Sequence, residues 1–358
     1  MARTVQLIVV GGSVLLFAST GCDDAREPAP SAEQAEVSVS APTTSNELPD
    51  LAYAVAVEDM RGELLDRTRE LDRNRDAFEP THETEEDWAI LRSVVEWART
   101  EGLEDRSAGE IMAVVGATFV GTPYVPHTLE VPGPEELVVN LRALDCVTFV
   151  ENLLAVAHLL QDLPEDLLDD EEAFRSRYRE ILTSIRYRGG VLDGYPSRLH
   201  YFSEWVTDGE RKGFLRDRTE ALGGAPDTRP VHFMTSNPEA YPPLVEDPEM
   251  LAAMEEIEEG LNQVPRFRIP QDRIQEVEER IADGDIIATT STVDGLDVAH
   301  TGIAVWKDGR VHLLHAPLVG ESVEISERPL AERIQALRGQ DGILVVRPAD
   351  QRGPGVEG

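Results

Sequence analysis

Apolar positions recur at helical spacing through the first half of the chain. A capping-box pattern from Thr84 to Asp87 begins one helix, because the two side chains satisfy backbone N–H groups at a helix start. Gly102 ends it. The apolar face consists of Trp88, Leu91, Val95 and Ala98. A second box, residues 107 to 110, begins a helix that runs to about Phe119.

The segment that follows Asp145, CVTFVENLLAVAHLL, is apolar almost all round. Such a segment predicts a helix that is buried on every side. Helical spacing also covers Glu171 to Arg186, with further helical stretches near Met250 to Leu261 and Ile274 to Ile281.

The pattern changes after Asp283 to short apolar or β-branched runs separated by Gly and Asp turns. These runs are GDIIATTS, DVAHTGIAVW, RVHLLHA and GILVVRP. They predict antiparallel strands. Helices first and strands afterwards are typical of an α+β fold.

The N-terminus has the pattern of an export signal. Arg3 precedes an apolar stretch from Leu7 to Ala18, which is shorter than the roughly 20 residues that a transmembrane helix needs. The small residues before Cys22 resemble the lipobox of bacterial lipoproteins, in which that cysteine is lipidated, although Ser19 stands where leucine is usual. Residues 1–21 are therefore predicted to be a signal peptide on a membrane-anchored lipoprotein that faces the periplasm; the alternative is ordinary cleavage that leaves Cys22 as a free thiol.

Composition divides the remaining chain. Residues 22–50 are rich in Pro, Ser, Thr, Ala and acids without an apolar period, which predicts a disordered tether. Residues 51–350 are predicted to be one domain with a helical N-terminal part at 51–116, and residues 351–358 a flexible tail.

The formal net charge of −35 and the count of two cysteines exclude several classes of protein. Nucleic acid is excluded as a partner because phosphate backbones would be repelled and no basic run interrupts the acidic surface. A disulfide framework is also excluded. The chain has no HExxH or CxxC zinc motif, and its one His-x-x-His pair, His312 and His315, falls on a strand, where an odd offset separates the faces.

The second cysteine, Cys146, directly follows Asp145 at the start of the apolar helix. The helix N-terminus favours a thiolate and Asp145 can cap it. This pattern predicts a nucleophile; the alternative is an inert core cysteine.

Two histidines could serve such a nucleophile. The turn KDGR joins two predicted strands, and if Trp306 faces Val311, then His315 faces Gly302. His300 lies two residues from Gly302 on the same face, so the two imidazoles become diagonal neighbours. They would provide a base and its orienting partner; the alternative is a hydrogen-bonded pair with a structural role.

Five segments in order resemble the N-acetylmuramoyl-L-alanine amidase-like family, a branch of the NlpC-type, papain-like cell-wall cysteine hydrolases. They are GTPYVPHTLE, ALDCVTFVENLLAVA, GYPSRLHYFSEW, GDIIATTSTVDGLDVAHTGIAV and HLLHA. The resemblance implies a papain-like core in which the nucleophile helix packs on the antiparallel sheet, with additional helices. It also implies cleavage of the amide between N-acetylmuramic acid and L-alanine in peptidoglycan fragments (muropeptides), without metal or organic cofactor.

By position, the resemblance implies that Cys146 is the nucleophile, His300 the base and His315 the third catalytic residue. Tyr124 matches the tyrosine that lines the site near the nucleophile; the alternative is a packed aromatic. The family's substrate loop corresponds to Ser197, Arg198, His200 and Tyr201. Arg198 is the candidate for a ligand carboxylate, because its guanidinium matches that geometry; the alternative is an ordinary turn.

Two departures from the family pattern affect this interpretation. Pro317 stands where the family is expected to have serine, and Val147 and Thr148 replace the Ser-Gly pair of the wider NlpC group. The second difference favours the muramoyl-alanine amidase branch over γ-D-glutamyl endopeptidases. An endopeptidase of the same fold, a zinc amidase and a non-catalytic muropeptide-binding lipoprotein remain the alternatives.

Overall fold

The structure is a computed structural model that describes residues 6–10, 13–17, 51–73, 78–164, 166–318 and 321–351. Strands β1 (Gln6–Val10) and β2 (Ser13–Phe17) pair with each other in antiparallel orientation. Cys22, the rest of the predicted tether and the tail after residue 351 lie outside the described residues. No helix within the described ranges is long and apolar enough to cross a membrane.

Three helices precede the candidate nucleophile: α1 (Leu51–Arg73), α2 (Glu85–Thr100) and α3 (Ala108–Thr118). Both predicted capping boxes are present, at Thr84 and Ser107, with the side-chain oxygens accepting from the third helical N–H in each case. The predicted starts of α2 and α3 are confirmed, because the cap residues satisfy the N–H groups left free at a helix start.

Helix α4 (Cys146–Gln161) is the central helix, and every residue from Cys146 to Leu160 is buried. Helix α5 (Glu171–Arg186) packs against it, with Tyr178 Oη donating to Asn152 Oδ1 over 2.6 Å. Arg186 Nε also donates to Glu151 Oε2 of α4 over 2.7 Å, and both side chains are buried. The two predicted helices are confirmed.

Helix α6 (Phe202–Lys212) is followed by three short strands of the sheet and four further helices. These are β3 (Leu215–Asp217), β4 (Ala225–Pro226), α7 (Phe233–Ser236), α8 (Pro242–Glu246), α9 (Pro248–Leu261), β5 (Phe267–Pro270) and α10 (Ile274–Val277). The helix predicted up to Ile281 changes at Val277 to a 3-10 turn, where Glu278 accepts a hydrogen bond from the backbone N–H of Val311.

The remaining elements are β6 (Ile286–Ser291), β7 (Val298–Lys307), β8 (Arg310–His315), β9 (Glu324–Ile325), α11 (Leu330–Ala336) and β10 (Gln340–Pro348). Within the described chain, the sheet has the strand order β4-β5-β10-β6-β7-β8-β9, with β3 also on β10, and the pairs are antiparallel. The α+β prediction is confirmed, as are the four predicted strands.

Three buried apolar clusters hold these layers together. The largest joins α2 to α5 with one set of sheet residues, among them Ile303 and Leu314. A second joins the sheet with α10 and α11. The third lies under α7 to α9 and includes Tyr201. Helix α4 is thereby held between the other helices and the strand that bears His300.

Candidate active site

Asp145 caps helix α4. Its Oδ1 accepts from the N–H groups of Val147 over 3.0 Å and Thr148 over 2.8 Å, and Thr148 Oγ1 accepts from the N–H of Asp145 over 2.9 Å. The N–H groups of Asp145, Val147 and Thr148 each have a hydrogen-bond acceptor in this way. Cys146 is therefore held as the first residue of a rigid, buried helix.

Cys146 is 2% exposed. Burial raises its pKa to about 12, and the neighbouring Asp145 also raises it. The nearby backbone N–H groups of Thr301, Cys146 and Val147 lower the pKa, because they stabilise the thiolate. The helix start thus favours the thiolate as the sequence predicts, but desolvation outweighs it and the resting thiol is neutral.

Strand β7 approaches this sulfur directly. The N–H of Thr301 that points to Cys146 belongs to the residue after His300. Cys146 and Ile303 also belong to the same buried cluster. The nucleophile candidate and the strand that carries the base candidate therefore meet at the start of α4.

The two histidines form the pair that the register predicts. Trp306 is the partner of Val311, and His300 Nε2 lies 2.7 Å from His315 Nδ1. The imidazole rings are nearly perpendicular, at 81°. A Cβ at Gly302 would lie 2.7 Å from His315 Cβ, so this position needs glycine for His315 to hold its place. The predicted proximity of the two histidines is confirmed, while their catalytic role stays a prediction.

Both imidazoles are uncharged at neutral pH. Burial lowers the pKa of His300 to about 3, and the cation of Arg333 lowers it further. Burial also lowers the pKa of His315 well below its usual value, helped by His300 and Arg333. Because a neutral imidazole has one donor and one acceptor nitrogen, one ring donates across the 2.7 Å contact and the other accepts. Nδ1 of His300 is left as the nitrogen available to a reacting group.

Tyr124 lies on the same side of the site as the thiol. It is buried, and Cys146 and Asp145 both act on its phenol electrostatically; burial is the main reason why its pKa is raised. Its N–H donates to the backbone oxygen of Glu321 over 2.8 Å. The hydroxyl has no hydrogen-bond partner in the described part of the chain. A neutral O–H donor is thus present beside the thiol.

The predicted substrate loop is held by internal contacts. Arg198 Nη2 donates to Glu130 Oε1 over 2.6 Å and Nη1 to the oxygen of Leu129 over 3.2 Å, while Nε lies 3.6 Å from Glu135. The guanidinium also stacks on Tyr195. In this structure Arg198 therefore binds carboxylates of its own chain.

The other three loop residues have internal partners too. His200 Nε2 lies 2.9 Å from the backbone oxygen of Tyr195. Tyr201 Oη donates to Glu258 Oε1 over 2.6 Å. Ser197 Oγ donates to the oxygen of Gly194 over 2.7 Å and also lines a groove of about 570 Å³ beside α9. The substrate contacts of these residues stay predictions.

Sequence reasoning missed the carboxylates that organise this region, Glu130, Glu135 and Glu258. Glu130 ends the segment GTPYVPHTLE, and its position there was the available signal. Among the described residues, no group of three or more His, Cys, Asp or Glu side chains is arranged to hold a metal ion.

The fold and the site together define an α+β protein with a buried thiol at a capped helix start, next to a strand that carries a paired imidazole. Residues 114–342 match the model of the AmiA-like family, described as N-acetylmuramoyl-L-alanine amidase-like. The chain belongs to this family, as its motifs predict.

Solved structures agree with this assignment. An N-acetylmuramoyl-L-alanine amidase from Bacteroides uniformis is 38% identical, with a TM-score of 0.62 over 68% of this chain and 99% of that one. A Bacteroides fragilis protein described as a candidate xylanase is 37% identical, with a TM-score of 0.60 over 65% and 98%. A Legionella pneumophila protein at 17% identity and a TM-score of 0.50, over 73% and 95%, shares the fold. No curated protein matched.

Proposed function

We propose that the protein is an exported peptidoglycan amidase that cleaves the bond between the lactyl group of N-acetylmuramic acid and L-alanine in muropeptides. Membership of the amidase-like family and the similarity to a named amidase support the peptidoglycan amidase class. The papain-like, NlpC-type core and the Cys-His-His mechanism are part of the proposal.

The observation that carries the mechanism is the meeting of Cys146 with strand β7. The backbone N–H of Thr301 is close enough to the sulfur to stabilise its thiolate, and His300 precedes Thr301, with its partner His315 at 2.7 Å. A nucleophile, a base and a group that orients the base are the parts that amide cleavage by a thiol needs.

In the first step the Cys146 sulfur attacks the lactyl carbonyl carbon while its proton passes to Nδ1 of His300. Because thiol and imidazole are both neutral at rest, this transfer accompanies the attack. The N–H of Cys146 and the hydroxyl of Tyr124 stabilise the oxyanion. His300 then gives its proton to the L-alanine nitrogen, the C–N bond breaks, and the stem peptide leaves with a free amine.

In the second step water hydrolyses the thioester. His300 Nδ1 takes a proton from the water as its oxygen attacks the carbonyl. The C–S bond breaks, the sulfur regains the proton, and the muramic acid carboxylate is released. His315 holds the imidazole of His300 in orientation throughout.

The remaining parts of the proposal concern location and recognition. Lipidation of Cys22 would anchor the enzyme to a membrane facing the periplasm, where muropeptides are found. The loop of Ser197, Arg198, His200 and Tyr201 would shape the side of the site that receives the stem peptide.

The test is mass spectrometry of muropeptides incubated with the purified protein, with iodoacetamide and EDTA in parallel and xylan as a second substrate. We expect free stem peptide beginning at L-alanine, inhibition by iodoacetamide alone, and intact xylan. Cys146→Ser should lower turnover by at least about a thousandfold without unfolding the protein. The matched control, Cys22→Ser, should keep full activity and leaves Cys146 as the only cysteine.

Other outcomes assign the site differently. Cleavage within the stem would indicate a γ-D-glutamyl endopeptidase, and inhibition by EDTA alone a zinc amidase. Binding without cleavage would indicate a muropeptide-binding lipoprotein. Near wild-type activity of Cys146→Ser would refute the thiol mechanism.

A further inference from the structure

The second ring nitrogen of His315 is a buried polar atom without a hydrogen bond. Nδ1 of His315 is occupied by His300, whereas Nε2 has no hydrogen-bond partner in the described ranges. The side chain of His315 is fully buried. Since buried polar groups are normally paired, this atom needs a partner.

One carboxylate stands in position to provide it. Glu324 of strand β9 is the register partner of His315, and its Oε1 lies 3.7 Å from His315 Nε2. This distance exceeds a hydrogen bond, but the Glu324 side chain is 45% exposed, so it is not packed in on every side. A shift of under about 1 Å, or one bridging water, would complete the contact.

The chemistry of the pair requires one tautomer. For Nδ1 of His300 to accept the thiol proton, its Nε2 must carry hydrogen and donate to Nδ1 of His315. His315 must then carry its own hydrogen on Nε2. The register partner on that side is Glu324, and either oxygen of its carboxylate can accept this hydrogen.

Arg333 explains why a charged acceptor suits this place. Its cation acts on both histidines and on Glu324, and its Nε is buried without a hydrogen bond within the described chain. A nearby cation disfavours the imidazolium that forms on His300 during attack. The negative charge of Glu324 offsets this effect. Among the described residues, the cation of Arg333 and the carboxylate of Glu324 are the charged groups that act on the pair.

We propose that Glu324 is a positioning residue, which fixes the Nε2–H tautomer of His315 and thereby directs Nδ1 of His300 toward the thiol. This inference rests on the proposed function, because it assigns His300 as the base. It extends the Cys146, His300, His315 set to a fourth member that acts through His315 and touches no substrate.

Three variants test the proposal. Glu324→Ala removes the acceptor, and we expect kcat to fall about tenfold or more with KM within about twofold, since only proton transfer is affected. Glu324→Gln keeps an acceptor oxygen but removes the charge, so it should preserve the tautomer and lower kcat less than Glu324→Ala does. Glu327→Ala is the matched control, because this exposed glutamate lies three residues further along the same segment.

The deciding readout is the tautomer, measured by nitrogen NMR of protein labelled with ¹⁵N-histidine, with His315 assigned from the spectrum of His315→Asn. We expect His315 protonated on Nε2 in wild type and in Glu324→Gln, and a shift toward Nδ1 in Glu324→Ala. An unchanged tautomer in Glu324→Ala would overturn the proposal, as would unchanged kcat.

The two proposals fail in different ways. If no muropeptide is cleaved by wild-type protein, the proposed function fails, but the NMR spectra still decide whether Glu324 sets the tautomer. If muropeptides are cleaved and Glu324→Ala loses activity only through a lower melting temperature, Glu324 has a structural role and the positioning proposal is wrong.

Discussion

Replacing Gly302 by alanine would test the histidine pair without changing either histidine. A Cβ at this position would lie 2.7 Å from His315 Cβ and 2.7 Å from the backbone oxygen of Leu314. Carbon atoms pack at about 3.5 to 4.0 Å, so the strand or His315 must move by roughly 0.8 Å or more. The His300 to His315 contact of 2.7 Å would not survive such a shift unchanged.

Two opposing contributions set the stability of Gly302→Ala. Overpacking of a core position costs about 1–3 kcal/mol. Alanine leaves the unfolded chain with less conformational freedom than glycine does, which stabilises the folded protein by about 0.5–1 kcal/mol. The free energy of unfolding is therefore expected to fall by up to about 2.5 kcal/mol.

The loss of activity should exceed the loss of folded protein. A hydrogen bond to the imidazolium formed during attack contributes about 1.5 kcal/mol or more. Losing it would lower kcat by about tenfold. Urea unfolding curves and kcat on a muropeptide, measured on the same preparations, separate the two effects.

Gly339→Ala is the control for Gly302→Ala, since a Cβ at Gly339 would meet no atom within 4 Å. We expect it to keep both stability and kcat. The reasoning is refuted if Gly302→Ala keeps wild-type kcat, or if its kcat falls no more than that of Gly339→Ala.

Two further predictions concern the thiol and its neighbour. Tyr124→Phe should lower kcat by about tenfold or more while stability stays within about 0.5 kcal/mol, because the hydroxyl is the proposed oxyanion donor and has no hydrogen-bond partner among the described residues. Loss of stability with unchanged kcat would make Tyr124 a packed aromatic. The rate of Cys146 alkylation by iodoacetamide should keep rising from pH 7 through pH 10, because burial raises the thiol pKa to about 12, whereas a plateau that begins below pH 8 would show a preformed thiolate.

The sequence predicts best the elements whose signals are local. The starts of α2 and α3 depend on capping boxes at Thr84 and Ser107, which involve residues only three positions apart. The register of β7 and β8 depends on one short turn, from which the partnership of Trp306 and Val311 follows. The histidine pair was predictable because it follows from that register by counting.

The features that the sequence does not predict depend on distant partners. Arg198 contacts Glu130 and Tyr201 contacts Glu258, but in a chain with 68 acidic residues no pattern marks which carboxylate a given side chain meets. The neutral state of the Cys146 thiol also depends on residues that are distant in the sequence. The helix start is visible in the sequence, whereas desolvation depends on the packing of α4 against the sheet.

The neutral thiol has a consequence for how the proposed enzyme must work. Burial disfavours every charged form in this site, so it raises the pKa of Cys146 and lowers that of His300. Proton transfer from the thiol to the imidazole would create two opposite charges in this buried site. Buried charges are stabilised only by partners in close contact. Those partners are the N–H groups at the start of α4 for the sulfur, and His315 for the imidazolium.

Charge separation is therefore expected when the substrate carbonyl arrives, because the oxyanion then takes the negative charge beside the N–H of Cys146. The capped helix and the oriented imidazole thus stabilise the charges of the transition state more than those of the resting site, and this difference lowers a barrier.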